Sequence, residues 1–182
     1  MTQAIIEYLE RRGIIAEQDA PIYRYGLQSL FQFAACYGAM LLLAAATHRI
    51  MDTVVFWLIF LPIRQYAGGY HASTPFRCFC LSLAAWAAIM AACRFSAPLL
   101  LCTITALSLV ILWRFSPLPH PNNPLSSKRL VQVTKIIRLI LLTVLLCFAV
   151  LIAIQQLHFA ALICYITLTC ALSLLAAKMQ RT

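Results

Sequence analysis

The chain has 182 residues, of which 63% are hydrophobic and only 10% are charged, and its mean hydropathy is +0.88. A water-soluble domain of this size does not tolerate such a composition, so the sequence predicts an integral membrane protein. A helix needs about 20 apolar residues to cross a bilayer, which leaves room for about six crossings and no separate soluble domain. There is no glycine-rich nucleotide-binding fingerprint, and no nucleic acid partner is expected.

Residues 1–25 are predicted to form an interfacial N-terminal segment. Residues 3–12 place Ile6 and Leu9 on one helical face and Glu10 on another. This pattern is typical of a short amphipathic helix that lies in the headgroup region of a bilayer.

Six apolar spans are predicted within residues 26–177, and residues 178–182 form a tail. The predicted spans are Gly26–Ala46, Ile50–Ala67, Phe76–Cys93, Ala97–Trp113, Ile136–Gln155 and His158–Ala177. The expected fold is therefore all-α: a polytopic membrane protein with six transmembrane helices and a short N-terminal amphipathic helix, in a single integral membrane domain, residues 1–182.

Basic residues are distributed unevenly between the two sides of this arrangement. Of the 14 Lys and Arg residues, only Arg49 and Arg94 fall on the side opposite the termini. The positive-inside rule then predicts that both termini and the loop between spans two and three are cytoplasmic. The net charge of +9 fits this orientation, and it equally fits the capture of an acidic peptide.

The loop of residues 64–78 carries the two residues best suited to catalysis, His71 and Cys78. Histidine accepts protons near neutral pH, and cysteine is a readily activated nucleophile, so the pair can cleave an acyl bond if the fold brings them together. One continuous helix would separate them by about 10 Å. Gly68 and Gly69 are expected to break span two and let the chain fold back.

Cys78 is predicted to lie in the first turn of the third span. Pro75 suits the first helical position and Thr74 the N-cap. The helix dipole and the neighbouring Arg77 both favour the thiolate form of Cys78. The other seven cysteines lie in apolar runs, where cysteine behaves as a small hydrophobe.

The remaining polar residues of the loop have supporting roles in this interpretation. Gln65 or Ser73 is expected to hold the imidazole, because the acidic residues of the chain lie elsewhere in the sequence. Arg64 and Arg77 either extend to the membrane interface or bind a peptide carboxylate. A purely structural role for His71 and Cys78 is the alternative, and no metal or other cofactor is expected.

The loop residues resemble the accessory gene regulator B (AgrB) family. The specific likeness is Arg64, then Gly68-Gly69-Tyr70-His71-Ala72, with Cys78 seven residues after the histidine. A weaker likeness is the proline-rich stretch of residues 116–124, which carries Asn123 where the family usually has lysine. From the residues alone, this stretch is either a linker or a substrate platform.

The resemblance implies a cysteine endopeptidase of the bacterial cell membrane, with His71 and Cys78 as the catalytic pair. Its substrate would be an AgrD-like quorum-sensing propeptide, cleaved through an acyl-enzyme thioester and cyclised to a thiolactone or lactone. The resemblance also implies a homodimer in the lipid bilayer. The competing interpretation is a non-catalytic membrane protein, such as a small transporter subunit or an immunity factor, in which the glycine loop is a hinge.

Overall fold

The computed structural model describes residues 2–70, 74–118 and 126–180, and the regular elements within them are all helical. The α-helices are α1 (Thr2–Arg11), α2 (Ala20–Ala46), α3 (Ile50–Ala67), α4 (Pro75–Ala92), α5 (Pro98–Phe115), α6 (Ser127–Ala153) and α7 (Leu157–Met179). A short 3-10 helix, Glu17–Asp19, leads into α2. The all-α prediction is confirmed.

Five helices, α2, α3, α5, α6 and α7, are long and apolar enough to cross a membrane. The Phe76–Ala92 part of α4 is a shorter apolar helix, so the crossing by α4 stays a prediction. Large apolar side chains also cover the outside of the bundle: Leu58, Leu99 and Leu142 are 70%, 79% and 52% exposed. Such a surface is stable against lipid, and the chain is a polytopic membrane protein.

Two helices begin earlier than the predicted apolar spans. Helix α2 begins at Ala20, with Pro21 in its first turn, and α6 begins at Ser127. The predicted boundaries followed hydropathy, whereas polar residues such as Arg24 and Lys128 continue the helix beyond the apolar stretch. Helix α2 therefore starts inside the segment that was expected to be interfacial.

Helix α7 lies at the centre of the bundle and packs against α3, α4, α5 and α6. Its buried residues include several small ones, among them Ala160, Ala161, Cys164, Cys170 and Ala171. Small side chains let neighbouring helix backbones approach closely, which is how helices associate in membranes. Helix α7 is thus the scaffold against which the other helices are positioned.

Helix α1 packs on the start of α2 through one apolar face. Ile6 is 1% exposed and forms a small cluster with Ile15 and Ala20, and Leu9 packs against it. The amphipathic pattern predicted for residues 3–12 thus corresponds to a helix whose apolar side covers α2. Its location in the headgroup region stays a prediction.

Successive helices alternate in direction, so the α3–α4 connection lies at the same end as the end of α5, the start of α6 and the end of α7. We call this the loop end. Aromatic rings there contact basic side chains: Lys178 Nζ lies 3.8 Å from the ring centroid of Phe115, and the Arg138 guanidinium lies 5.2 Å from that of Trp113. Basic residues therefore concentrate at the loop end, as the predicted orientation requires.

The opposite end carries a polar cluster built on Asp52. One Asp52 carboxylate oxygen lies 2.9 Å from Nε2 of His158, and the other lies 3.5 Å from Nη1 of Arg49. The same Arg49 nitrogen donates to the carbonyl oxygen of Met90 at 2.8 Å. This cluster links the start of α3 to the end of α4 and the start of α7.

Candidate active site

Helix α3 ends at Ala67 because two glycines follow it. Gly68 has φ of 82° and Gly69 has φ of 145°, which are values that side-chain-bearing residues rarely adopt. The predicted break after span two is therefore confirmed. It turns the chain away from the helix axis toward the centre of the bundle.

The start of the proline-rich connection packs directly on this turn. The amide of Leu118 donates to the carbonyl oxygen of Ala67 at 2.9 Å. A Cβ atom on Gly68 would lie only 2.6 Å from the carbonyl oxygen of Leu118. Gly68 is thus needed for its conformation and for the close approach of a second chain segment.

Arg64 reaches from the last turn of α3 over the glycine turn. Its Nη1 donates to the carbonyl oxygen of Gly68 at 3.1 Å, and its Nη2 donates to the carbonyl oxygen of Tyr70. Neither of the two ion pairs among the described residues involves Arg64, whose guanidinium is instead bonded to backbone carbonyl oxygens.

Tyr70 is held on its other side by α7. Its amide donates both to the carbonyl oxygen of Ser173 at 3.0 Å and to the Ser173 hydroxyl oxygen at 3.2 Å. A Cβ atom on Gly69 would lie 2.9 Å from that hydroxyl oxygen and would collide with the Arg64 guanidinium. The turn therefore fits between Arg64 and Ser173 only because residue 69 has no side chain.

Cys78 lies in the first turn of α4, as predicted. The Thr74 hydroxyl oxygen accepts from the amide of Arg77 at 3.3 Å and caps the helix, and Pro75 lies in its first turn. The Cys78 amide donates to the carbonyl oxygen of Thr74 at 3.1 Å, and its side chain is half-buried.

The guanidinium of Arg64, in the last turn of α3, lies within electrostatic range of the thiols of Cys170 in α7 and Cys78 in α4. Arg77, the cationic neighbour predicted from the sequence, has an exposed side chain. The structure adds Arg64 as a second and less exposed cation near Cys78.

The structure brings some of the predicted site residues together, and others lie apart from them or outside the described residues. Arg64, Gly68 and Gly69 meet at one corner of the bundle, and Cys78 lies within electrostatic range of Arg64. Gln65 is exposed on α3 and makes no hydrogen bond to this corner within the described part of the chain. His71 and Ser73, together with residues 119–125 of the proline-rich stretch, lie outside the described residues.

Two contributors to the corner, Ser173 and Leu118, were missed by the sequence analysis. Each meets the loop through backbone hydrogen bonds across long sequence separations, and neither belongs to a recognisable motif. The only sequence signal was that Gly68-Gly69 leaves room for a close backbone approach. That signal does not identify the partner.

No group of three or more His, Cys, Asp or Glu side chains suited to a metal ion occurs in residues 2–70, 74–118 and 126–180. The His158–Asp52 pair lies at the other end of the bundle from Cys78. A helix rises about 1.5 Å per residue, so Asp52 is roughly 20 Å from the glycine turn along α3. This carboxylate therefore does not orient a base at the loop end.

The family model for accessory gene regulator B matches residues 2–175, which is nearly the whole chain. The match includes the glycine turn, Cys78 and Ser173. No curated protein and no solved structure matches the chain.

Proposed function

Because the chain belongs to the accessory gene regulator B family, we propose that it processes a quorum-sensing propeptide as a cysteine endopeptidase of the membrane. Membership of the family supports a role in quorum-sensing peptide processing. The finer assignment is supported by one observation: Cys78 lies in the first turn of α4, within electrostatic range of Arg64 at the glycine turn. Cysteine is an effective nucleophile once a neighbouring base takes its proton.

In the proposed reaction, the Cys78 sulfur attacks the peptide carbonyl that precedes the C-terminal tail. His71 accepts the thiol proton and then donates it to the departing amine, so the peptide bond is replaced by a thioester and the tail leaves with a free amino group. A thiol or hydroxyl of the peptide then attacks this thioester. The ring closes as a thiolactone or lactone, and the Cys78 thiol is restored.

Arg64 is a supporting residue in this proposal, because its hydrogen bonds to Gly68 and Tyr70 hold the loop that leads to His71. Substrates of the AgrD type carry an acidic tail, and the basic residues at the loop end favour its approach. The membrane face that carries the loop end is proposed to be the cytoplasmic one.

The first test is cleavage of a co-expressed propeptide that has an amphipathic leader, a central cysteine and an acidic tail. We expect Cys78→Ala to release no tail, and His71→Ala to slow release by about 10²–10⁴-fold, because both groups act on the reacting atoms. Tail release and ring formation are measured by mass spectrometry of cells and medium.

The matched control is Cys80→Ala, which removes an exposed thiol two residues away on another face of α4. It should cleave within about twofold of the parent. A peptide adduct on Cys78 that hydroxylamine removes would identify the thioester. Tail release by Cys78→Ala at the parent rate would contradict the proposed function and favour a non-catalytic membrane protein.

A further inference from the structure

We propose that Ser173 of α7 is a positioning residue for the loop that carries His71, and this inference rests on the proposed function. Tyr70 directly precedes His71 in the sequence, and its amide bonds to both acceptors that Ser173 offers, at 3.0 and 3.2 Å. The two residues are 103 positions apart. Ser173 therefore fixes the point from which the chain continues to the proposed base.

The same peptide segment is held from the opposite side by Arg64. The Tyr70 carbonyl oxygen accepts from Arg64 Nη2, and the Arg64 guanidinium lies within electrostatic range of the Cys78 thiol. Hydrogen bonds thus connect Ser173 through Tyr70 to Arg64. A shift of Tyr70 away from Ser173 would displace Arg64 as well as the residue that directly precedes His71.

Ser173 lies on a well-buried part of α7. Its neighbours on α7, Cys170 and Leu174, are 3% and 0% exposed. Residues anchored on a packed helix hold a functional loop more accurately than loop residues alone. The glycine at residue 69 is the counterpart of this anchor, because a Cβ there would lie 2.9 Å from the Ser173 hydroxyl oxygen.

The Ser173→Ala variant removes the hydroxyl, so it tests the positioning role while the fold of α7 is kept. In Ser173→Ala the carbonyl oxygen of residue 173 still accepts from Tyr70, and alanine is the best helix former, so α7 should remain intact. Only one of the two acceptors is lost. A single hydrogen bond of this kind corresponds to about a two- to tenfold effect on an equilibrium or a rate.

The test compares Ser173→Ala with the parent in a Cys80→Ala background, with two readouts. The first is the rate at which iodoacetamide alkylates Cys78, measured by mass spectrometry in detergent without any peptide. The second is the rate constant and KM for tail release from the propeptide. We expect Ser173→Ala to slow alkylation about two- to tenfold in the direction of His71→Ala, and to lower kcat by a similar factor with KM within about twofold.

The matched control is Thr169→Val, one turn earlier on the same helix. The Thr169 hydroxyl donates to the carbonyl oxygen of Tyr165 within α7, at 2.8 Å, and this bond lies outside the loop contacts. Both readouts should stay at the parent values in this variant. Equal effects of Thr169→Val and Ser173→Ala would overturn the positioning role in favour of general loosening of α7.

Different results would contradict the positioning role of Ser173 and the proposed endopeptidase function. If His71→Ala slows alkylation of Cys78 but Ser173→Ala leaves alkylation and kcat unchanged, the positioning role is wrong and the endopeptidase remains. If Cys78→Ala still releases the tail, the proposed function is wrong, whatever the alkylation rates are.

Discussion

Gly69 occupies a position where a single added carbon would collide with the groups that hold the loop. A Cβ there would strike the Arg64 guanidinium and approach the Ser173 hydroxyl oxygen to 2.9 Å, and φ is 145°. Backbone strain of this kind costs about 1–3 kcal/mol. Both the neighbouring atoms and the backbone conformation therefore require a glycine at residue 69.

We predict that Gly69→Ala lowers propeptide tail release by at least about tenfold, because the loop must move away from Arg64 or Ser173 to make room. The control is Gly38→Ala in α2, where no atom lies within 4 Å of the added carbon. That change should preserve cleavage and slightly raise the thermal midpoint, since alanine favours a helix over glycine. Cleavage by Gly69→Ala at the Gly38→Ala rate would contradict the prediction.

The side chain of Thr74 has a defined local role, because it is the N-cap of α4. We predict that Thr74→Ala removes about 1 kcal/mol of stability, which corresponds to a fall in Tm of about 2–4 °C for a chain of this size. Thr74→Ser keeps the capping oxygen and should unfold close to the parent temperature. Thermal unfolding in detergent measures both variants, and an equal loss in both would exclude the cap as the cause.

Local residues of the candidate site could be predicted from the sequence, and distant ones could not. Thr74, Pro75 and the glycine pair act through their own backbone conformation, which residue type largely decides. Ser173 acts through a contact over 103 residues, and an ordinary serine in an apolar helix gives no sign of it. The partner of a close backbone approach depends on how the helices pack.

At the scale of helices, polar contacts connect α3 and the loop after it to α7 at both ends of the bundle. At the loop end Tyr70 bonds to Ser173, and at the other end Asp52 bonds to His158. The side chain of Asp52 is only 13% exposed, and Arg49 connects it to the end of α4. The two contacts lie about one helix length apart, and we expect the first to position the loop and the second to stabilise the fold.

We predict that Asp52→Asn lowers Tm by about 4–8 °C, because it removes the charge that both Arg49 and His158 contact in a largely buried position. Propeptide cleavage below the unfolding range should stay within about twofold, since the cluster is far from Cys78. The comparison variant is Glu7→Gln, whose exposed side chain accepts a hydrogen bond from Gln3 and should leave Tm nearly unchanged. Loss of cleavage in Asp52→Asn without a fall in Tm would show that the cluster acts in the reaction.

The helices themselves were predictable where their apolar residues are continuous. Helix α3 has the bounds Ile50–Ala67 that its hydropathy predicted. Helix α6 extends beyond its apolar part because Ser126 caps its start through the amide of Arg129 at 3.5 Å. Hydropathy reports the part of a helix suited to lipid, and capping decides where the helix begins.

At the scale of the whole molecule, the two ends of the bundle differ in charge. Among the basic residues in the described part of the chain, only Arg49 and Arg94 belong to the end opposite the loop end, and Arg49 is paired with Asp52. The alternation of helices in the fold agrees with the loop assignment on which the predicted orientation depends. The face of the membrane toward which the loop end points can therefore be tested directly.

We predict that Ser127→Cys at the loop end reacts with a membrane-impermeant maleimide only after the cells are opened, because the loop end is cytoplasmic. Ala97→Cys, between α4 and α5, should react in intact cells. Both are made in a background in which Cys78, Cys80, Cys102 and Cys147 are replaced, since these thiols are not buried. The opposite labelling pattern would invert the topology.

The contact between Tyr70 and Ser173 also sets an order of events during synthesis. Tyr70 and the glycine turn leave the ribosome early, yet the serine that bonds to Tyr70 is 103 residues further along the chain. The corner at the loop end cannot be completed until α7 has been translated and inserted among the earlier helices. We therefore expect the proposed peptidase activity to begin only when α7 is in place, some time after Cys78 has been synthesised.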